Sequence, residues 1–291
     1  MEIKKVIIPV AGLGTRFLPL SKVLRKELLP LVDKPIIQYG VEEAKASGIK
    51  EIIFVVPSQK KEILSYFEKS PELERITKLR KRDYLISELK KIDSLTKGLS
   101  FSSVFQKFAL GDGQAILLTE KIIGNQAAAV LFPDDIVDSK TPCLSQLFKI
   151  FKTSQKPIIA LKKLPKERLP SYGVVDVEKI TGRLYKIKGI IEKPKDASLA
   201  PSNLVIVGRY IITPEVFDYL KKTPKNGTRE VILANAFQAM IKDNKAIYGY
   251  EFEGEWLECG DKLQWLKSNL YFSLKHSKFA PELKKYLKKI C

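Results

Sequence analysis

Short apolar runs recur along the first half of the chain, separated by segments with helical spacing. Val6-Ile7-Ile8-Pro9-Val10 reads as a strand, and a glycine-rich turn follows it. From 36 to 47, apolar residues at Ile36, Ile37, Val41 and Ala44 mark one face of a helix, with Gly48 as its stop. Ile52-Ile53-Phe54-Val55-Val56, closed by Pro57, is a buried strand, and residues 127–132 form another. Continuous apolar strands alternating with helices predict an α/β fold, a mixed and mostly parallel sheet with helices on both faces. The second half alternates less regularly. Strands are expected over 158–161, 174–177, 185–191, 204–210 and 247–252, and helices over 214–222, 230–242, 263–274 and 281–290. Residues 59–97 are charged and helical, broken at Ser70-Pro71, and read as an excursion across the surface. No repeat or low-complexity linker divides the chain. Residues 1–291 are therefore expected to form a single domain, with C-terminal helices from about 263.

Composition narrows the function classes. At 291 residues and 45% hydrophobic content the chain can bury a sizeable core. No apolar stretch approaches the roughly 20 residues of a membrane helix. The first fourteen residues have a leader-like charge pattern, but a glycine turn interrupts the short apolar part and no small-residue cleavage site follows. They read as the first strand of a cytoplasmic protein with no membrane partner. Cys143, Cys259 and Cys291 are far apart and form no C-x-x-C pair, so neither a zinc site nor a disulfide framework is indicated. His276 is the single histidine, which disfavours Ser-His-Asp chemistry. Catalysis, if present, falls to lysine, arginine and carboxylates with a metal ion. The formal charge is +18, and basic density is highest at Lys78–Arg82 and Lys284–Lys289. Nucleic acid is one reading of such clusters. Solvated helix faces are the other, favoured because no aromatic interleaving or nucleic-acid motif accompanies them. A positive field would in either case attract phosphorylated substrates.

The most informative stretch is Val10 to Pro35, VAGLGTRFLPLSKVLRKELLPLVDKP. Gly12 and Gly14 remove the Cβ atoms that would keep backbone N–H groups from a phosphate, and Arg16 and Lys26 can hold its charge. The spacing is not that of a P-loop, and Phe17 stands where a dinucleotide fingerprint needs its third glycine. A tight strand-to-helix connection would use the same glycines. A second feature is Pro133-Asp134-Asp135 at the end of the 127–132 strand, where open α/β sheets place ligands.

G-x-G-T-R followed by Lys26, Pro30 and Asp33-Lys34-Pro35 resembles the signature of sugar-1-phosphate nucleotidyltransferases. The run L-P-x-V-D-K-P-x-I-Q-Y most resembles the bacterial UTP–glucose-1-phosphate uridylyltransferases. Further matches are Gln106 with Leu110-Gly111-Asp112-Gly113, Tyr172-Gly173-Val174-Val175, Glu192-Lys193-Pro194 and the run from Pro201 to Tyr210. The resemblance spans about residues 3–270. It implies a Rossmann-like nucleotidyltransferase fold and UDP-glucose synthesis from UTP and glucose 1-phosphate with Mg²⁺. A homo-oligomer is expected, with the last two helices as the place for subunit contacts. By the same resemblance Arg16, Lys26 and Asp134 are catalytic. Ala11, Gly12, Gly14, Gln106 and Gly111 hold the nucleotide. Gly173, Glu192 and Lys193 hold the sugar phosphate, and Asp134 and Glu258 hold the metal. Four positions depart from the pattern. Pro133 replaces a glycine, Glu258 an aspartate, Arg25 a proline and Asn235 an acidic residue. These leave open another nucleotide or hexose 1-phosphate, or a non-catalytic binding relative.

Overall fold

A computed structural model of the chain describes residues 2–57, 62–81, 83–223 and 230–290. Its centre is a nine-stranded sheet ordered Ser100–Gln106, Glu51–Pro57, Lys5–Pro9, Ala128–Leu131, Leu204–Ile212, Ile158–Lys163, Tyr248–Glu251, Leu184–Glu192, Gly173–Thr181. Within it, Leu204–Ile212 and Leu184–Glu192 run against the other strands. The first four strands in that order are parallel throughout. The expected mixed α/β sheet is therefore present, and its parallel block is the part built by the strand–helix alternation.

Strand periodicity sorts the core into two layers. Val6, Ile8, Ile52, Phe54, Val56, Ala129 and Leu131 face one side. There they meet Ile37, Val41 and Ala44 of helix Ile36–Ala46, and Leu144, Leu147 and Phe151 of helix Cys143–Ser154. Ile7, Ile53, Val55, Ala128 and Val130 face the other. They pack on Ala115 and Ile116, on Val216, Phe217 and Leu220 of helix Pro214–Lys222, and on Ala236, Phe237 and Met240 of helix Leu233–Lys242. Each of the larger apolar side chains contributes about 1.5–3 kcal/mol by leaving water, so both helical layers are firmly attached. The leader-like start is the buried strand Lys5–Pro9 between two parallel neighbours.

Boundaries differ from the sequence expectation in a few places. The helix expected from 230 starts at Leu233, because the Val231 backbone bonds to Leu110 O at 2.8 Å and receives Gly113 N at 2.9 Å. The expected surface excursion begins outside the described residues. From Glu62 it is three helices, Glu62–Phe67, Pro71–Leu79 and Asp83–Thr96. Arg82 and Cys291 also lie outside them. The C-terminal helices are Lys262–Lys275 and Ala280–Ile290. A two-stranded ribbon, Asp135–Asp138 with Glu255–Glu258, was not expected, and it is central to the site.

Candidate active site

The parallel strands all end on one edge of the sheet. Lys5–Pro9 has neighbours leading away on both sides, Glu51–Pro57 on one and Ala128–Leu131 on the other. That is a topological switch point, the place where open α/β sheets leave a crevice for ligands. The glycine loop leaves the first of these strands. Gly14 takes a left-handed φ of 64°, which glycine adopts without strain, and the turn continues as a short 3₁₀ segment, Thr15–Phe17. No α-helix starts there, so a helix dipole adds nothing at this point. Any phosphate contact rests on loop amides and cations.

Lys26 and Asp134 meet across 108 residues, Nζ to Oδ2 at 2.6 Å. Burial acts to lower the Lys26 pKa, yet the charges of Asp134 and Glu27 outweigh it and hold the ammonium above its ordinary value. Burial likewise opposes ionisation of Asp134, but Lys26 and then Arg16 overcome it, and its carboxyl lies below the usual range. Asp135 takes the opposite course. Burial and the Asp134 charge push it up to about 7. Its carboxylate accepts from Gly208 N–H at 3.0 Å and Trp256 Nε1 at 2.9 Å, so it is tied into the wall. Glu27, beside Lys26, is almost wholly buried, its Oε2 has no hydrogen-bond partner, and burial pushes its pKa up to about 7.

The ribbon brings the second acid in. Its register sets Glu258 opposite Asp135, and Cys259 N bonds to Asp134 O at 2.7 Å. A methyl group placed on Gly260 would lie 3.2 Å from Arg16 Nη1 and 3.6 Å from both Asp134 Oδ2 and Glu258 Oε1. Three charged side chains thus converge on one point, and the glycine leaves it open. Proline at 133 is compatible with this turn, since Asp135 N–H returns to Phe132 O at 3.3 Å without an amide from 133.

Arg16, Asp134, Asp135 and Glu258 line a cleft of about 270 Å³ that also includes Tyr172, Gly173, Glu192 and Tyr210. At Gly173 a Cβ would approach Glu192 Oε2 to 2.9 Å, so a side chain there would crowd the acid. The structure therefore brings together Arg16, Asp134, Gly173, Glu192 and Glu258, with Lys26 bonded to Asp134. The remaining expected residues stand outside the cleft lining. Gln106 is buried, its Nε2 donating to Gly111 O at 3.1 Å and to Gln114 Oε1 at 2.5 Å. Gly111 holds a φ of 95° against Val231, a turn that leaves no room for a Cβ. Ala11 is buried and Gly12 exposed, and Arg25 Nη1 reaches Gly12 O at 3.5 Å. Lys193 is an exposed side chain 3.8 Å from Glu192, on a left-handed backbone whose N–H donates to Tyr172 O.

Sequence reasoning missed four contributors. Arg209 is fully buried, bonds Glu43 through Nε at 3.0 Å and Nη2 at 2.8 Å, and donates from Nη1 to Phe132 O at 2.8 Å. An arginine inside the apolar run LVIVGRYII is the signal that could have marked it. Asp112 accepts from Leu233 N at 3.1 Å and so caps helix Leu233–Lys242 from a distant loop. Tyr172 and Arg168 both bond Glu258. A larger groove, of about 930 Å³, lies between helices Ile36–Ala46, Asp83–Thr96 and Lys262–Lys275. Its polar groups pair among themselves, Asp33 with His276, Lys34 with Glu42 and Tyr66 with Gln38, and none of the expected site residues lines it.

The two carboxylates facing one spot suit a hard divalent cation that takes its other oxygens from phosphates and water. No group of three or more His, Cys, Asp or Glu side chains with metal-ligand geometry exists among the described residues, so the protein offers no closed cage. The two described cysteines are buried free thiols. Among the described residues no helix is long and apolar enough to cross a membrane.

A strand-end carboxylate paired with a lysine, beside a glycine loop at the sheet's switch point, defines a site for transfer chemistry on phosphates. The chain belongs to the nucleotidyl transferase family, whose model matches residues 5–271. It is 41% identical to a UTP–glucose-1-phosphate uridylyltransferase of Staphylococcus haemolyticus over 99% of each chain. It is 39% identical to a Staphylococcus saprophyticus protein named UTP–glucose-1-phosphate uridylyltransferase 1, over 100% of this chain and 99% of that one. Among solved structures, a UTP-bound UGPase from Acinetobacter baumannii superposes with a TM-score of 0.91 at 36% identity, all of each chain being covered. A UDP-glucose pyrophosphorylase complexed with UDP-glucose gives 0.85 at 35% identity, covering 94% of this chain and 100% of that one.

Proposed function

We propose that the chain joins UTP and α-D-glucose 1-phosphate into UDP-glucose, releasing pyrophosphate. The observation that carries this reading is the convergence of Lys26, Asp134, Glu258 and Arg16 beside a cleft lined by Gly173 and Glu192. The similarity to proteins named for that reaction supports the choice of substrates.

The chemistry asks for positioning more than for proton transfer. A phosphate oxygen of the sugar phosphate attacks the α-phosphorus of UTP, a new P–O bond forms, and the bond to the bridging oxygen breaks with its electrons leaving on pyrophosphate. The nucleophile is already an anion, so no general base is required. Arg16 and Lys26 are assigned to the triphosphate and to the charge of the departing pyrophosphate. Lys26 must exchange its bond to Asp134 for one to phosphate, a modest change because Asp134 itself lines the cleft. Glu192 accepts from sugar hydroxyls, Gly173 lets the sugar approach the backbone, and Lys193 attracts its phosphate from the exposed rim. Ala11, Gly12, Gly14, Gln106 and Gly111 are assigned to the nucleotide. Mg²⁺, held by Asp134 and Glu258 together with phosphate oxygens, would supply charge neutralisation on the triphosphate. We place the reaction in the cytoplasm, treat the whole chain as one catalytic unit, and assign subunit contact to helices Lys262–Lys275 and Ala280–Ile290.

Pyrophosphate release tests the reading directly, with UTP, glucose 1-phosphate and Mg²⁺ against a panel of other nucleoside triphosphates and hexose phosphates. A clear preference for the UTP–glucose 1-phosphate pair is expected. Preference for another pair would keep the reaction and change the substrate. No release with any pair would leave a binding protein.

A further inference from the structure

Glu258 is one methylene longer than the aspartate expected at its position, and a longer side chain has more rotamers to lose before it can hold a cation. The structure contains a device that removes that freedom. Glu258 Oε2 accepts from the Tyr172 hydroxyl at 2.5 Å and from Arg168 Nη2 at 3.2 Å. Arg168 Nη2 also bonds Tyr172 OH at 2.7 Å, and its guanidinium lies 5.6 Å from the centre of the tyrosine ring. The ring in turn stands edge-to-face against Trp256 at 5.3 Å, and the Trp256 indole N–H is bonded to Asp135. One carboxylate oxygen is thus fixed by two donors whose own positions are fixed by packing. The other, Oε1, is left on the Asp134 side, near Gly260.

We infer that Tyr172, backed by Arg168, is a positioning residue that holds Glu258 in the rotamer presenting Oε1 beside Asp134, and so sets the affinity of the site for a divalent cation. Tyr172 does not touch the cation. It acts through Glu258, and its charge-assisted hydrogen bond is of the strong class. This role presupposes the metal ligands proposed above.

The test is titration of Mn²⁺ into the full chain without nucleotide, with free ion read by electron paramagnetic resonance, so that turnover does not enter. Wild type is expected to bind one ion saturably. Tyr172→Phe should weaken it by about tenfold or more, as expected for the loss of one charged hydrogen bond. Arg168→Met, at a residue exposed enough to spare the fold, should weaken it in the same direction by less. The decisive arm is the same tyrosine change in a Glu258→Asp background, where the shorter side chain no longer reaches the hydroxyl and Tyr172→Phe should add nothing. Unchanged Mn²⁺ affinity in Tyr172→Phe would overturn the inference, as would an equal loss in both backgrounds. If Asp134→Ala binds Mn²⁺ as well as wild type does, the metal site itself is misassigned and this role falls with it. Thermal melting of each variant separates all of these from a general loss of fold.

Discussion

Arg209–Glu43 lies behind the turn that carries Asp134, and Lys26–Asp134 lies in front of it. Both are ion pairs with bonds below 3 Å, and both brace the same few residues. Their surroundings differ. The Arg209 side chain is wholly buried and that of Glu43 is 8% exposed, whereas Lys26 and Asp134 each keep 21%. Burial makes the rear pair unable to separate, because either charge alone in the core would cost several kcal/mol. The front pair stands beside the cleft, where the proposed function has an incoming phosphate replace Asp134 as the partner of Lys26. On that reading the same chemistry serves as a rivet on one side of the turn and as an exchangeable contact on the other.

The largest effects should fall on the front pair as rate and on the rear pair as stability. Asp134→Ala should lower kcat/KM by about a thousandfold, or roughly 4 kcal/mol, and Lys26→Ala by about a hundredfold. Chemical denaturation should find both nearly as stable as wild type. Arg209→Met should do the reverse, costing about 3–5 kcal/mol in urea unfolding by stranding Glu43, while the folded fraction keeps most of its kcat. Replacing both Arg209 and Glu43 by apolar residues should recover much of that loss. If Arg209→Met instead lost activity at unchanged stability, the division between the two pairs would be wrong.

How far the sequence reveals this arrangement depends on the range of the contacts involved. Val6–Ile8 and Ile52–Val56 announce themselves, because strands buried on both faces must be continuously apolar. Arg16, Asp134, Glu192 and Glu258 were singled out through their motifs as candidate site residues, and they line one cleft. The ribbon that unites Asp134 and Glu258 was not. DIVD and EWLE are too short and polar to read as strands, and their pairing is set by two segments more than 100 residues apart. Helix Cys143–Ser154 was missed although Leu144, Leu147 and Phe151 share a face, since no capping side chain marks its start. Arg209 and Tyr172 were visible as residues in quoted motifs, but their partners Glu43 and Glu258 are settled only in three dimensions.

Glu27 extends the comparison to a buried acid with a cation beside it but no hydrogen-bond partner on Oε2. Its pKa rises from 4.5 to about 7 on folding, chiefly through burial. The folded-state value lies above the unfolded one, so the contribution of the neutral acid is fully present below pH 4.5 and is lost as pH rises through about 7. The loss is on the order of 3 kcal/mol. Glu27→Gln should therefore be more stable than wild type at pH 8 and should flatten the pH dependence of the urea midpoint across that window. A parallel pH profile in the two proteins would mean that Glu27 is ionised throughout.

The smallest effect belongs to a cation at the rim of the site. Arg25 Nη1 reaches Gly12 O at 3.5 Å on the solvent side of the glycine loop. Unlike Lys26 it has no buried partner, and unlike Arg209 it supports no turn from within. A charge so placed adds to the attraction of a triphosphate while water and salt screen most of it. Arg25→Ala should raise the KM for UTP by about two- to fivefold and leave kcat within about twofold. Near 0.5 M salt the two proteins should converge, because the Debye length there falls to roughly 4 Å. Arg25→Lys should behave like wild type if only the charge matters. A loss that persists at high salt, or one carried in kcat, would instead give Arg25 a specific bond to the nucleotide and move it from the rim of the site into the group with Lys26.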